Sequence, residues 1–277
     1  DLFASPQPLT GEGVGDEGQG RGSGDGGRAR QAEGSSLSLS SFKQYLLVEG
    51  MGLEELSLEQ GGARIKFSCI REEDGPGQDQ EGVQELKELS KGLDCLVKTK
   101  AAPIGPDGKF LGNCACLLEG EQILISRSGR SPEDPSDLER DFARVTSFDS
   151  GSWTAFFNSA DADCEPSSDT PLHWFSLIKA PTDFKWKERP RVVLHGHSFE
   201  TKEDAEVLGV PISPADTLFS TREDVDALGA LLKSHAYPAH KAFIRFNHGF
   251  LILEETMDAA IDVLHALLSK RERALSL

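Results

Sequence analysis

Long apolar segments and basic patches are both missing from this sequence of 277 residues. No apolar run approaches the ~20 residues that a membrane-spanning helix requires, so we expect no membrane span. Lysine and arginine number 29 against 46 aspartates and glutamates, which gives a formal net charge of −17. Because so acidic a chain repels phosphates, and no basic stripe offsets the charge, we expect neither nucleic acid nor a membrane surface as a partner.

Paired cysteines are also absent. The five cysteines form no Cys-x-x-Cys pair and no disulfide framework; they are Cys69, Cys95, Cys114, Cys116 and Cys164. An odd number of scattered thiols is typical of a reducing compartment, so we expect a cytoplasmic protein. Cys114 and Cys116 lie on a predicted strand, and we interpret them as packing residues rather than as a ligand pair.

Apolar residues are scarce at the start of the chain. Residues 1–40 contain ten of the 28 glycines, mixed with serine, aspartate, glutamate and arginine. Such a segment buries too little apolar surface to offset the entropy of ordering the chain. The sequence therefore predicts a disordered segment over residues 1–40 and a single folded domain over residues 41–277.

Strand-like and helix-like segments are interspersed within that domain. The alternation of apolar residues predicts strands over 62–70, 113–118, 122–126 and 142–148. Helical spacing and capping signals predict helices over 83–96, 170–180, 224–233 and 255–273, and a helix entry with a capping serine or aspartate over 132–141. The mixture predicts an α/β fold built in layers.

Two closely spaced histidines end a further β-branched strand. Because successive side chains of a strand point to opposite faces, His195 and His197 project from the same side and can hold one metal ion. His248 falls at a predicted turn between strands at 242–247 and 249–253. Three neutral imidazoles with one open position make a catalytic metal site, most often for zinc. We interpret the other four histidines as ordinary core or surface residues: His173, His235, His240 and His265.

Several motifs occur in an order that resembles the class II aldolase/adducin head family, which includes fuculose-phosphate aldolase and ribulose-phosphate 4-epimerase. The motifs are Gly112-Asn113, Ile125 to Gly129, Glu165 to His173, His195-Gly196-His197 with Asn247-His248-Gly249, and Pro214 to Thr221. The resemblance covers roughly residues 83–270. It implies a three-layer αβα fold with a mostly antiparallel central sheet, and a homotetramer with sites between subunits.

The resemblance also implies roles for individual residues. His195, His197 and His248 would bind a catalytic Zn²⁺ or another divalent metal. Asp169, which closes a Ser-Ser-Asp motif, would be the catalytic acid/base or a fourth ligand. Asp216 would be a proton shuttle, as in the epimerase. Two simpler interpretations stay open: Asp169 as the N-cap of the next helix, and Asp216 as an exposed turn residue after a proline.

A phosphate subsite is implied as well. Its positions are Gly112, Asn113, Ser128, Gly129, Ser167 and Ser168. Small residues let backbone amides approach an anion and hydroxyls complete the cradle, although glycine and serine also mark ordinary turns. Many relatives have Gly-Asn-Leu-Ser where this chain has Gly-Asn-Cys-Ala, so one hydroxyl is lost.

The resemblance predicts a metal-dependent lyase or epimerase that acts on a ketose phosphate, or a related hydroxy-carbonyl compound, via an enediolate. One departure concerns the proton donor, because the family uses a C-terminal tyrosine of a neighbouring subunit and this chain has no tyrosine after Tyr237. Two alternatives therefore stay open. The chain could be a non-catalytic interaction module like an adducin head, or a dehydratase of the methylthioribulose-phosphate type.

Overall fold

The computed structural model describes residues 66–72, 83–131 and 140–276. The predicted disordered segment 1–40, the start of the folded domain and most of the helix entry predicted over 132–141 lie outside these ranges. The strands are β1 (Ser68–Arg71), β2 (Gly112–Leu117), β3 (Ile123–Ser126), β4 (Phe142–Asp149), β5 (Thr154–Asn158), β6 (Val192–Gly196), β7 (Ala242–Arg245) and β8 (Gly249–Glu254).

The helices among the described residues include those predicted outside 132–141, together with two short helices over Ala180–Asp183 and Lys202–Leu208. They are α1 (Val83–Thr99), α2 (Thr170–Trp174), α3 (Ala180–Asp183), α4 (Lys202–Leu208), α5 (Arg222–Ser234) and α6 (Met257–Leu275). A π-helical turn over Phe175–Lys179 joins α2 to α3, so the predicted helix 170–180 continues to Asp183. β5 and α4 were not predicted. None of the described helices is both long enough and apolar enough to span a bilayer.

The eight strands form one sheet in the order β1-β5-β4-β3-β2-β6-β8-β7. Among these strands, β1 and β5 pair in parallel and every other neighbouring pair is antiparallel. The mostly antiparallel central sheet is therefore confirmed. Its centre, β2-β6-β8, brings distant parts of the chain side by side.

Helices cover both faces of the sheet, which confirms the three-layer αβα arrangement. Cys114 and Cys116 of β2 belong to the core on the face covered by α1 and α6, whereas Ala115 between them belongs to the opposite core with α2 and α5. Successive strand residues point to opposite faces, so a strand buried on both sides is apolar throughout. Both cysteines are buried packing residues.

The register of the central strands positions the candidate site. Asn113 of β2 pairs with His195 of β6, and His195 pairs with Leu251 of β8. β7 and β8 form a hairpin in which Arg245 pairs with Gly249, so the intervening turn lies beside the end of β6. The predicted hairpin around His248 is thus confirmed, and its turn faces the His-Gly-His segment.

Candidate metal centre and adjoining cleft

Three histidines converge where β6 ends and the β7–β8 hairpin turns. The ring centroids are 4.9 Å apart for His195 and His197, 5.3 Å for His195 and His248, and 5.4 Å for His197 and His248. One ligand nitrogen from each ring lies within 4.8 Å of the other two. The structure therefore brings together the three histidines that the sequence singles out as metal ligands.

One ring nitrogen is fixed by a hydrogen bond, and a second lies beside a carboxylate without forming a hydrogen bond to it. Nδ1 of His195 donates to the carbonyl oxygen of Phe250 at 2.7 Å, and Nδ1 of His248 lies 3.3 Å from Oδ2 of Asp224. A proton held at Nδ1 leaves the lone pair of Nε2 available to a metal. This is the usual arrangement of histidine ligands in metalloproteins.

The spacing of the nitrogens suits zinc. Nε2 of His195 and Nε2 of His197 face each other at 3.2 Å. Two nitrogens bound to one tetrahedral zinc at about 2.0–2.1 Å would lie roughly 3.3 Å apart. The carboxylate of Glu200 lies 4.0 Å from Nδ1 of His197, on the side away from His195. The residues present thus fit a divalent cation held by three imidazoles with a position left for substrate.

Asp169 lies at the centre of this group and is 3% exposed. Its Oδ2 accepts from Nδ2 of Asn113 at 2.5 Å and lies 3.5 Å from Nε2 of His195. Its Oδ1 lies 3.2 Å from Nε2 of His248. Asp169 does occupy the N-cap position of α2, but its side chain makes no capping hydrogen bond. Asp169 therefore stands at the N-cap position as the simpler interpretation predicts, but its carboxylate bonds to the site residues and does not cap the helix.

The electrostatics of the cluster favour a cation. Burial alone raises the pKa of the Asp169 carboxyl, but His195 and His248 outweigh that effect and hold the pKa well below its usual value. Burial also opposes a charge on His248, yet Asp224 and Asp169 raise the pKa of its imidazole to about 10. Two ionised carboxylates beside His248 thus stabilise positive charge there. They would stabilise a divalent cation bound at Nε2 in the same way.

His173 contacts the site, although its sequence context predicts an ordinary core or surface histidine. It is fully buried, and its Nε2 donates to the side-chain oxygen of Asn113. Burial lowers the pKa of its imidazole to about 3, so the ring is neutral. It follows Asp169 by one helical turn, since its backbone N–H donates to the carbonyl oxygen of Asp169, and this spacing is a signal that the sequence carries.

A small, shallow cleft of ≈ 20 Å³ adjoins the histidines. All six residues of the predicted phosphate subsite line it: Gly112, Asn113, Ser128, Gly129, Ser167 and Ser168. Asp169 and His197 line it too, so the cleft reaches the candidate metal centre. The amide of Asn113 is already bonded to Asp169 and His173, which leaves one of its amide hydrogens for a ligand.

Two arginines outside the predicted phosphate subsite also line the cleft. Arg127 and Arg130 each contact the buried carboxylate of Asp141, at 3.0 Å and 3.3 Å from their Nε atoms. Guanidinium groups bind phosphate and carboxylate anions well. The cleft therefore combines hydroxyls, small residues and positive charge.

Asp216 does not line the cleft and contacts the residue that precedes His248. Its Oδ2 accepts from Nδ2 of Asn247 at 3.4 Å, and Asn247 directly precedes His248. Tyr237 is only 5% exposed, and its ring packs against Trp186 at a centroid distance of 6.2 Å. Tyr237 is thus a core residue.

Comparisons with known proteins rest on structure, because no protein-family model matches the chain and no curated protein is significantly similar to it in sequence. A sugar-phosphate aldolase from Thermotoga maritima superposes with a TM-score of 0.52 and 12% identity, over 70% of this chain and 94% of that one. An L-fuculose 1-phosphate aldolase superposes with a TM-score of 0.48 and 16% sequence identity, over 72% of this chain and 90% of that one. The N-terminal class II aldolase domain of a Thermoplasma acidophilum protein superposes with a TM-score of 0.48 and 14% sequence identity, over 74% of this chain and 97% of that one. The chain has the class II aldolase fold.

Proposed function

We propose that this protein is a metal-dependent lyase or epimerase of the class II aldolase type. Its substrate would be a ketose phosphate or a related hydroxy-carbonyl compound. The observation that carries the proposal is the convergence of three buried or half-buried imidazoles beside a cleft suited to an anion. A site of this kind can bind the two ends of a phosphorylated sugar at once.

His195, His197 and His248 would hold the cation, with zinc the best match to three nitrogen ligands. The cation would act as a Lewis acid toward the carbonyl and the adjacent hydroxyl of the substrate. Asp169 is ionised and within 3.5 Å of two of the ligand nitrogens, so it would serve as a fourth ligand or as a proton acceptor. Asp216 is the proposed proton shuttle.

The phosphate end of the substrate would lie in the cleft. The hydroxyls of Ser128, Ser167 and Ser168 would donate to its oxygens, and Gly112 and Gly129 would let backbone amides approach closely. Arg127 and Arg130 add positive charge to the same walls. The proposal extends to a cytoplasmic homotetramer, on the basis of the sequence resemblance and the thiol pattern.

The experiment has two parts. Metal analysis of the purified chain should find close to one divalent ion per chain, and His195→Ala should lose it. A panel of ketose phosphates should then show carbon–carbon cleavage or epimerisation that stops with a chelator and returns with Zn²⁺. A chain that binds no divalent ion at near-stoichiometric occupancy would overturn the proposal.

The interaction-module alternative is favoured by one observation. The chain has no tyrosine after Tyr237, and Tyr237 itself is buried in the core. A protein that binds metal but turns over no member of the panel would support a role like that of an adducin head. Loss of water from a substrate, without cleavage or epimerisation, would support the dehydratase alternative.

A further inference from the structure

A fully buried ion pair lies directly behind the candidate metal centre. Arg245, at the end of β7, and Asp224, in the first turn of α5, both have no exposed side-chain surface. Burying two charges costs several kcal/mol per ion before their attraction is counted, and an apolar pair of similar size is often no less stable. Stability alone therefore gives little reason for charges at these two positions.

The two oxygens of Asp224 have different environments. Oδ1 accepts from Nε of Arg245 at 3.2 Å, from Nη2 of the same guanidinium and from the hydroxyl of Thr217 at 2.9 Å. Nη2 of Arg245 also donates to Thr217 at 2.6 Å. These contacts fix the position of Oδ1. Oδ2 lies 3.3 Å from Nδ1 of His248, and both atoms are buried and make no hydrogen bond in this geometry.

The chain also fixes Asp224 from its own helix. Thr221 is the N-cap of α5, and its hydroxyl accepts from the backbone N–H of Asp224. The ion pair joins this helix to the end of β7, three residues before His248. Asp224 of α5 thus contacts both the end of β7 and the turn that carries His248.

We propose that Asp224, anchored by Arg245, is a positioning residue for the metal centre. It holds the Nδ1 proton of His248 and the plane of the ring, so that the lone pair of Nε2 faces His195 and His197. The inference rests on the proposed metal site and adds a residue to it. A carboxylate that orients a histidine ligand in this way usually contributes 10–100-fold to metal affinity.

The other two histidines contact different groups. His195 is oriented by a backbone carbonyl, which no side-chain substitution removes. Nδ1 of His197 lies 4.0 Å from the carboxylate of Glu200, a side chain that is 43% exposed. Loss of Asp224 should therefore disturb one ligand of the three and leave the other two in place.

The test is a Co²⁺ titration of the metal-free chain, followed by visible absorption and by competition with a chelator. Asp224→Ala should bind Co²⁺ about 10–100-fold more weakly than the parent, with a changed ligand-field spectrum. Asp224→Asn keeps the shape and one acceptor oxygen, so a smaller loss of affinity is expected. It also serves as the test variant if Asp224→Ala does not fold.

Glu254→Gln is the matched control. Glu254 is a buried carboxylate at the far end of β8, paired with Lys241 at 2.6 Å. Its loss should lower the midpoint of thermal unfolding and leave Co²⁺ affinity and spectrum unchanged. A merely structural role for Asp224 would give the same result as this control.

The outcomes separate the two proposals. A parent chain that binds Co²⁺, with Asp224 variants that bind it equally tightly and with the same spectrum, would overturn the positioning role alone. A parent chain that binds no Co²⁺ would overturn the metal site, and the positioning role with it. Weaker binding and a changed spectrum in the Asp224 variants, but not in the control, would support both.

Discussion

At the scale of single residues, one carboxylate organises the candidate site. Asp169 contacts Asn113, His195 and His248, and Asn113 in turn accepts from His173. Buried polar groups that are all bonded to each other hold one arrangement, whereas removal of one member leaves the others unpaired. The orientation of Asp169 thus depends on Asn113, whose side chain is not itself one of the three candidate metal ligands.

This dependence predicts a stability loss for Asn113→Ala. The substitution leaves Oδ2 of Asp169 and Nε2 of His173 without their partner, at a cost of about 3 kcal/mol in the free energy of unfolding. Urea denaturation of the metal-free chain measures it. Asn158→Ala, at a half-buried position of β5, is the control and should cost less. Equal losses for the two variants would contradict the account.

At the scale of secondary structure, close packing of the β6 and β8 ends brings the histidines together. Gly249 opens β8 with φ of 124°, and a Cβ built there would lie 2.3 Å from the carbonyl oxygen of Gly196 and 3.2 Å from Cε1 of His195. Only a residue without a side chain allows this approach. The turn that carries His248 therefore requires glycine next to it.

Gly249→Ala should consequently destabilise the fold by at least about 3 kcal/mol, since it combines an unfavourable φ with a backbone clash. Gly120→Ala is the control, because Gly120 also has a positive φ, of 71°, but no atom lies within 4 Å of its Cβ position. That variant should lose about 1 kcal/mol. Thermal unfolding of both variants provides the comparison. Similar midpoints would show that the contact between β6 and β8 is not tight.

The elements also show which parts of the fold can be predicted from sequence. The β7–β8 hairpin, α1 and α6 follow from local periodicity. β5 was missed because Thr154–Asn158 does not alternate, and α4 because seven residues give a weak period. A capping box at Thr201 and Asp204 was the available signal for α4.

The candidate site shows the same division between local and distant information. The His-Gly-His pair and the turn histidine are marked by spacing along the chain. Asp224 and Arg245 are not, because they meet His248 only after α5 has packed against the end of β7. Contacts between distant segments depend on tertiary packing, which one sequence does not reveal.

At the scale of the whole molecule, the sheet separates two apolar cores, and the cysteines lie in or beside them. Burial raises the pKa of the Cys116 thiol to about 12, that of Cys164 to about 11 and that of the half-buried Cys69 to about 12. Burial likewise raises the pKa of Cys95 and, more strongly, that of Cys114. The thiolate is the reactive form of cysteine, and a raised pKa keeps these side chains protonated. The cysteines of the folded chain should therefore be poor nucleophiles.

A thiol titration near pH 8 checks this prediction. The native chain should react slowly with a disulfide reagent, and five thiols should react at once after denaturation. Addition of Zn²⁺ should not change the native rate, because no cysteine belongs to the histidine cluster. Fast labelling of several thiols in the native chain would contradict the described core.

The central claim is that the side chains of residues 195, 197 and 248 bind one cation through ring nitrogens. Anomalous scattering at the zinc edge, from crystals grown with Zn²⁺, tests it most directly. The account predicts a single strong peak about 2.0–2.1 Å from Nε2 of all three histidines. No peak at that position, or a peak bound to other residues, would contradict it.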